Sequence, residues 1–314
     1  MQFGWVVHNR SVTGTRDTMV KLAQLADRLG FDSIWVTDHI VMPTQITSQY
    51  PYSATGAFPA QPAEDYLEPL TVLSYLAACT QRVGLGVSVM ILPHRNLLVA
   101  AKMLSTLDVL SGGRVIAGVG VGWREEEFQA LGLPPFVERG AYSDECLRIF
   151  KELWTREDPQ FEGRYHRFRD IKFAPKPLQQ PHPPIWVGGQ SRRAMRRAGE
   201  LGDAWHPIGQ RPPAELPPEQ LRDAMQVVRE AAARVGRDPQ QVGVAFRAPL
   251  HLSREAEPAG RRLLTGTPAQ VVEDITRYRD VGVHHMVFDV LTNDVSVIEA
   301  TIERFAQEVR SRLA

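Results

Sequence analysis

Asp38 and His39, adjacent in the chain, are the residues best suited to acid–base chemistry. An imidazole beside a carboxylate holds a proton near neutral pH, and the carboxylate can fix the ring's orientation. A buried structural pair is the alternative, and both readings stand on sequence alone. A second constellation is Gly188-Gly189-Gln190-Ser191, which runs into a helical segment carrying Arg192, Arg193, Arg196 and Arg197. Free backbone N–H groups at a helix start, reached closely because glycine has no side chain, suit a phosphate. One or two of the arginines would complete the charge; an ordinary glycine turn before a solvated basic face is the bland reading. The run Gly118-Val119-Gly120-Val121-Gly122 is not the dinucleotide fingerprint, because Trp123 stands where its third glycine belongs. It suits a flat ring lying close to the backbone. No metal site is expected. A metallohydrolase barrel calls for His-x-His on the first strand, where this chain has His8-Asn9-Arg10, and Cys79 and Cys146 share no ligand spacing.

The elements that must position these residues alternate. Short β-branched or apolar runs are expected at 3–7, 33–37, 83–89, 114–119, 185–187, 203–205, 242–247 and 284–288, each followed by a segment of helical period. The helices are expected near 17–29, 67–80, 97–110, 138–154, 191–200, 217–235, 268–281 and 296–312. Thr267-Pro268 marks one start well, a good N-cap before a proline at the first helical position. Gly30, Gly202 and Gly282 each stand between a helix and the next strand, as three copies of one joint. Eight βα units predict an α/β fold of the (β/α)8 TIM-barrel class rather than a doubly wound open sheet. The reading is a single domain over 1–314 with two inserts. Residues 40–66, after strand two, read as a lid, and 159–184, before strand five, read as a hairpin with a Pro-rich approach. The strand ends then collect His8, Asp38-His39, Ser88-Val89, Gly120 to Trp123, Gly188 to Ser191, His206, Arg247 and Asp289 at the catalytic face of a barrel.

The 36 Lys+Arg and 36 Asp+Glu balance to zero, which argues against a nucleic-acid binder. The longest apolar stretch, 83–93, is about half of the ~20 residues needed to span a bilayer, so no membrane partner is expected. With two cysteines far apart and a strand read at the first residues, a cytoplasmic enzyme is expected.

Taken together, Gly30-Phe-Asp-Ser-Ile-Trp-Val-Thr-Asp-His39, Leu67 to Ala78, Arg82 to Val89, Leu107 to Arg114, Gly118 to Trp123, Pro184 to Gly189 and Gly266-Thr-Pro268 resemble the luciferase-like flavin and deazaflavin oxidoreductases over essentially the whole chain. The likeness is strongest to the branch dependent on the deazaflavin coenzyme F-420, to which Tyr50-Pro-Tyr-Ser53 is also similar. The resemblance implies a barrel mouth that holds the cofactor ring, backed by a non-prolyl cis peptide at Ser88-Val89. It places the cofactor against His8, Ser88, Val89, Gly120 and Gly122, with its phosphate at Gly188, Gly189, Gln190, Ser191 and Arg192. His39 matches a position near the reactive centre, with Asp38 orienting it. The sequence departs from the glucose-6-phosphate branch: no tryptophan occurs between Ile40 and Pro43, and Trp123-Arg124 precede Glu125 where that branch has an acid. A sugar phosphate is therefore not the expected substrate.

The expected reaction is hydride transfer between F-420 and a small organic substrate, with the 40–66 lid closing over the site and Tyr50, Tyr52 and Phe58 shaping it. The alternatives are an FMN-dependent monooxygenase that activates dioxygen and a non-catalytic flavin-binding barrel. Members of the family are often homodimers, and the apolar helices near 67–80 and 97–110 are candidates for such an interface.

Overall fold

The computed structural model describes residues 1–313. Eight strands form its centre: β1 (Gln2–Val6), β2 (Ser33–Val36), β3 (Gly84–Val87), β4 (Val115–Gly120), β5 (Ile185–Gly188), β6 (Ala204–His206), β7 (Gly243–Pro249) and β8 (His285–Asp289). Each pairs in parallel with the next, and β8 returns to β1 through Phe3–Met286 and Gly4–Val287, closing a barrel. Around it lie α1 (Arg16–Arg28), α2 (Pro69–Cys79), α3 (Leu97–Ser111), the short α4 (Glu125–Ala130), α5 (Arg139–Thr155), α6 (Arg192–Leu201), α7 (Pro218–Arg234), α8 (Pro268–Asp280) and α9 (Val295–Arg304). This is the expected (β/α)8 TIM barrel. Among the described residues no helix is long and apolar enough to cross a membrane.

Local chemistry sets the boundaries. Thr267 accepts the backbone N–H of Gln270, whose side chain closes a capping box at the start of α8, with Pro268 at the first helical position. Two of the three expected glycine joints are left-handed, Gly30 at φ 75 and Gly282 at φ 99. Gly202 is extended, at φ −93. Its requirement is space, since a Cβ there would lie 2.8 Å from Val187 Cγ2 and 3.0 Å from the Ala198 carbonyl oxygen.

The strands are buried on both faces, which explains their unbroken apolar runs. The barrel interior is filled by Trp35, stacked on Trp186 at 4.9 Å and on His206 at 5.1 Å. Gly86 on β3 leaves room for that indole, for a Cβ there would meet its ring at 2.3 Å. The glycine run of β4 serves the same packing at Gly118, where a Cβ would lie 2.0 Å from the Val87 carbonyl oxygen and 3.0 Å from Trp35. That residue belongs to the barrel wall and not to a ligand surface.

The segment 40–65 forms neither helix nor strand. The later insert forms a hairpin of Phe161–Glu162 with Arg167–Phe168. A third excursion, unread in the sequence, follows β7: His251–Leu252 pairs with Thr265–Gly266 and sets the loop between them over the barrel mouth.

Candidate active site

A cavity of about 1200 Å³ opens at the C-terminal ends of the strands. It brings together His8, Asp38, His39, Ser88, Val89, Gly120, Gly122, Gly188, Gly189, Gln190 and Ser191, all drawn from the sequence. Arg192 is the exception. It lies with Arg234 in a separate small groove between α6 and α7, while Arg193, Arg196 and Arg197 reach the cavity. A helix turns about 100° per residue, so the first residue of α6 faces α7 and its neighbours face the mouth.

His39 follows β2 and is buried. Its Nδ1 lies 2.6 Å from Glu127 Oε2, and Glu127 Oε1 accepts the N–H groups of Ile40 (2.7 Å) and Val41 (3.3 Å). Burial alone would raise the Glu127 carboxyl; the hydrogen bonds from His39 and the Ile40 N–H outweigh it and hold the group below its usual range. Glu127, on α4, is therefore the residue that orients His39. Asp38 does not have that role. Its carboxylate is held by Arg95 Nη1 (2.7 Å) and Nη2 (2.8 Å) and accepts the Ile91 N–H, so it turns toward the wall that carries β3 onward. Residues adjacent on an extended chain point to opposite sides, and the guanidinium captures the side that Asp38 faces.

The Ser88–Val89 peptide is cis, as the family resemblance implied. Val89 seats between Gly120 and Gly188, where a Cβ would approach its methyls to 2.4 and 2.7 Å. These two glycines line the cavity, and their immediate requirement is the room they leave for Val89. The carbonyl of Ser88 accepts Arg247 Nη1 (2.7 Å), and its hydroxyl donates to His206 Nε2 (2.8 Å), whose Nδ1–H is bound by the Ala245 carbonyl (2.8 Å). Arg247 in turn is held by Asp289, from Nε at 2.8 Å and Nη2 at 3.1 Å.

The loop after β5 forms the other end. Ser191 caps α6 by accepting the Ala194 N–H (3.2 Å), Gly189 sits at φ 100, and the Gln190 amide is tied to the Ile208 carbonyl. Arg197 is committed to Asp144 and to the Gly140 carbonyl. Arg139 and Arg193 line the same space without an acidic partner among the described residues. Burial, then the like charges of Arg193 and Arg197, lower the Arg139 guanidinium. This concentration of uncompensated positive charge at a helix N-terminus suits an anion.

The 40–66 segment brings Tyr50, Tyr52 and Phe58 to the lining of the mouth. Asn9, wholly buried, donates to the carbonyls of Thr37 (2.9 Å) and Leu67 (2.6 Å) and so ties the two ends of the segment together. Glu126 accepts the N–H groups of Thr47 (2.6 Å) and Ser48 (2.9 Å). Arg124 lies over both Phe58 and Trp123, 4.7 and 4.6 Å from their ring centres. Phe58, Tyr66 and Trp123 stand around His39 at 4.9, 5.3 and 6.2 Å.

The buried histidines carry a pH consequence. Burial lowers His8, His94 and His206 to about 4, whereas an unfolded chain titrates near ~6.5. The fold therefore keeps them neutral where the unfolded chain takes up protons. Stability is expected to be full above about pH 6.5 and to fall toward pH 4, by at most ~1.4 kcal/mol per pH unit per histidine. Urea unfolding between pH 7.5 and 4.5 measures it, and a midpoint that does not move would rule these groups out.

The family model described as luciferase-like monooxygenase matches residues 1–263. An FMNH2-dependent dimethylsulfone monooxygenase of Pseudomonas putida is 35% identical over 188 residues, 59% of this chain and 47% of that protein, so the match spans about half of the relative's length. An F-420-dependent glucose-6-phosphate dehydrogenase of Amycolatopsis mediterranei is 28% identical over 339 positions, covering 96% of this chain and 95% of that one. The structure of a coenzyme F-420-dependent tetrahydromethanopterin reductase from Methanopyrus kandleri shares the fold with a TM-score of 0.79, at 18% identity over 100% of this chain and 99% of that one. On its matched residues and its closed barrel, the chain belongs to the luciferase-like monooxygenase family of oxidoreductases.

Proposed function

We propose that this oxidoreductase uses the deazaflavin coenzyme F-420 for hydride transfer to or from a small organic substrate, with His39 as its acid–base group. The observation that carries the reading is that one cavity joins His39, the apolar Val89 shelf and the arginine-lined loop after β5. The donor set fits such a cofactor. Gly189, Gln190 and Ser191 with Arg139 and Arg193 would hold its phosphate, and Val89 with Gly120 and Gly122 would face its ring. The volume exceeds the ~300–1,000 Å³ usual for one ligand, in keeping with cofactor and substrate together.

When bound, the deazaflavin supplies the hydride chemistry. The chain's own task is to orient and to manage the proton. With Nδ1 engaged by Glu127, His39 is left Nε2 to deliver or accept a proton at the substrate, for Nε2 has no hydrogen-bond partner among the described residues. Tyr50, Tyr52 and Phe58 on the lid exclude water from that position.

The FMN reading has one specific support, the 35% identity to an FMNH2-dependent monooxygenase, and would use the same phosphate loop. Titrating the protein with F-420 and with FMN, oxidised and reduced, separates the two. The expected result is saturable F-420 binding and no oxygen consumption. Tight FMN binding with oxygen uptake and no affinity for F-420 would overturn it.

A further inference from the structure

We propose that the end of the cavity beneath β6, β7 and β8 is a subsite for a singly charged oxyanion of the substrate, a carboxylate or a sulfonate, with Arg211 as its main ligand and Arg262 at its entrance. The proposal rests on the reading above only in calling that molecule the substrate.

The argument starts from charge. Arg211 and Arg247 share one carboxylate, that of Asp289, which is fully buried. Two guanidiniums against one acid leave one positive charge in excess, and no second carboxylate binds either guanidinium among the described residues. Nearby groups do not cancel it. Arg10 is already met by Glu64 and the Pro59 carbonyl. Burial keeps the phenols of Tyr50 and Tyr52 protonated, and keeps His8 neutral.

Hydrogen bonding tells the two arginines apart. Arg247 spends its donors on Asp289 and on the Ser88 carbonyl and hydroxyl. Arg211 makes one side-chain bond, from Nη2 to Asp289 at 2.7 Å, and its Nε is buried with no partner. A buried donor left unmet is costly, and a guanidinium edge is shaped for an oxyanion. Arg262, on the excursion after β7, is exposed, forms no ion pair among the described residues and lines the same cavity. Arg211 and Arg262 follow β6 and β7, whereas the loop that suits the cofactor phosphate follows β5. One excess buried charge matches a monoanion.

The test is calorimetric titration with sodium hexanoate, sodium hexanesulfonate and hexanol. It is run on the protein alone and on the protein saturated with whichever of F-420 or FMN binds. Both anions are expected to bind about tenfold or more tightly than hexanol, an effect of the size charged hydrogen bonds give, and to weaken as salt rises. Arg211→Gln is expected to abolish that preference and Arg262→Gln to reduce it, while Arg139→Gln at the phosphate loop leaves it unchanged. Should Arg211→Gln fail to fold, Arg262→Gln on the surface still decides. Equal binding of hexanol and the anions would overturn the proposal, as would anion binding that Arg139→Gln removes and Arg211→Gln and Arg262→Gln spare. If neither cofactor binds, the functional reading fails, yet the titration of the protein alone still judges the subsite.

Discussion

Replacing His39 with alanine is expected to lower turnover by about 10²–10⁴, the usual worth of a positioned acid–base group, with cofactor affinity nearly unchanged. The separation follows from geometry. His39 belongs to the β2 end and α4, bound through Nδ1 to Glu127, whereas the anion-suited loop and its arginines belong to β5, α5 and α6. Nothing on the phosphate side touches the imidazole. Glu127→Gln keeps an acceptor for the ring and removes its charge, so its turnover is expected to fall between wild type and His39→Ala. Because Glu127 also accepts the N–H groups of Ile40 and Val41, its variant is further expected to loosen the lid and raise KM, which His39→Ala is not. Steady-state kinetics beside cofactor titration checks both. Equal turnover in wild type and His39→Ala would remove the histidine from the reaction.

The barrel was readable because its signals are local. Thr267-Pro268 starts a helix by its own chemistry, and each strand is a short apolar run between turn residues. The strand ends then followed from the fold, which is how His39, Val89 and Gly188 to Ser191 could be placed on one cavity. Partners were less readable, because contact depends on closure. Glu127 lies 88 residues from His39 and Asp289 lies 78 from Arg211, and only a closed barrel sets them side by side. Asp38 was the nearer carboxylate along the chain and the wrong one, since Arg95, 57 residues away, claims it. A signal for Glu127 did exist: three successive acids, Glu125 to Glu127, follow the glycines of β4 at the catalytic face. Arg192 failed on a finer point, the rotational phase of α6 against the mouth. Arg262 lies on the excursion after β7, whose paired strands of two residues each are too short to leave a periodic pattern in the sequence.

The largest effect on stability is expected at Asp289. Burial alone would raise its carboxyl, but the Arg247 and Arg211 guanidiniums outweigh that and hold it far below the usual carboxylate range. Asp289→Asn removes the one counter-charge of the buried Arg247 and the largely buried Arg211, and breaking a buried pair in this way costs about 3–5 kcal/mol. The depressed carboxyl sets the sign of the pH dependence. Its contribution is complete above the unfolded value near ~4 and fades only in stronger acid, so the loss is expected to be the same at pH 6 and pH 8. Removing the partner as well tests the cause. In Asp289→Leu with Arg247→Met one uncompensated charge disappears with the acid, and part of the lost stability is expected to return. Denaturant midpoints for wild type, the Asp289→Asn and Asp289→Leu variants and the double variant measure it. A double variant no more stable than Asp289→Leu would show that the loss arises from packing at the end of β8 rather than from stranded charge.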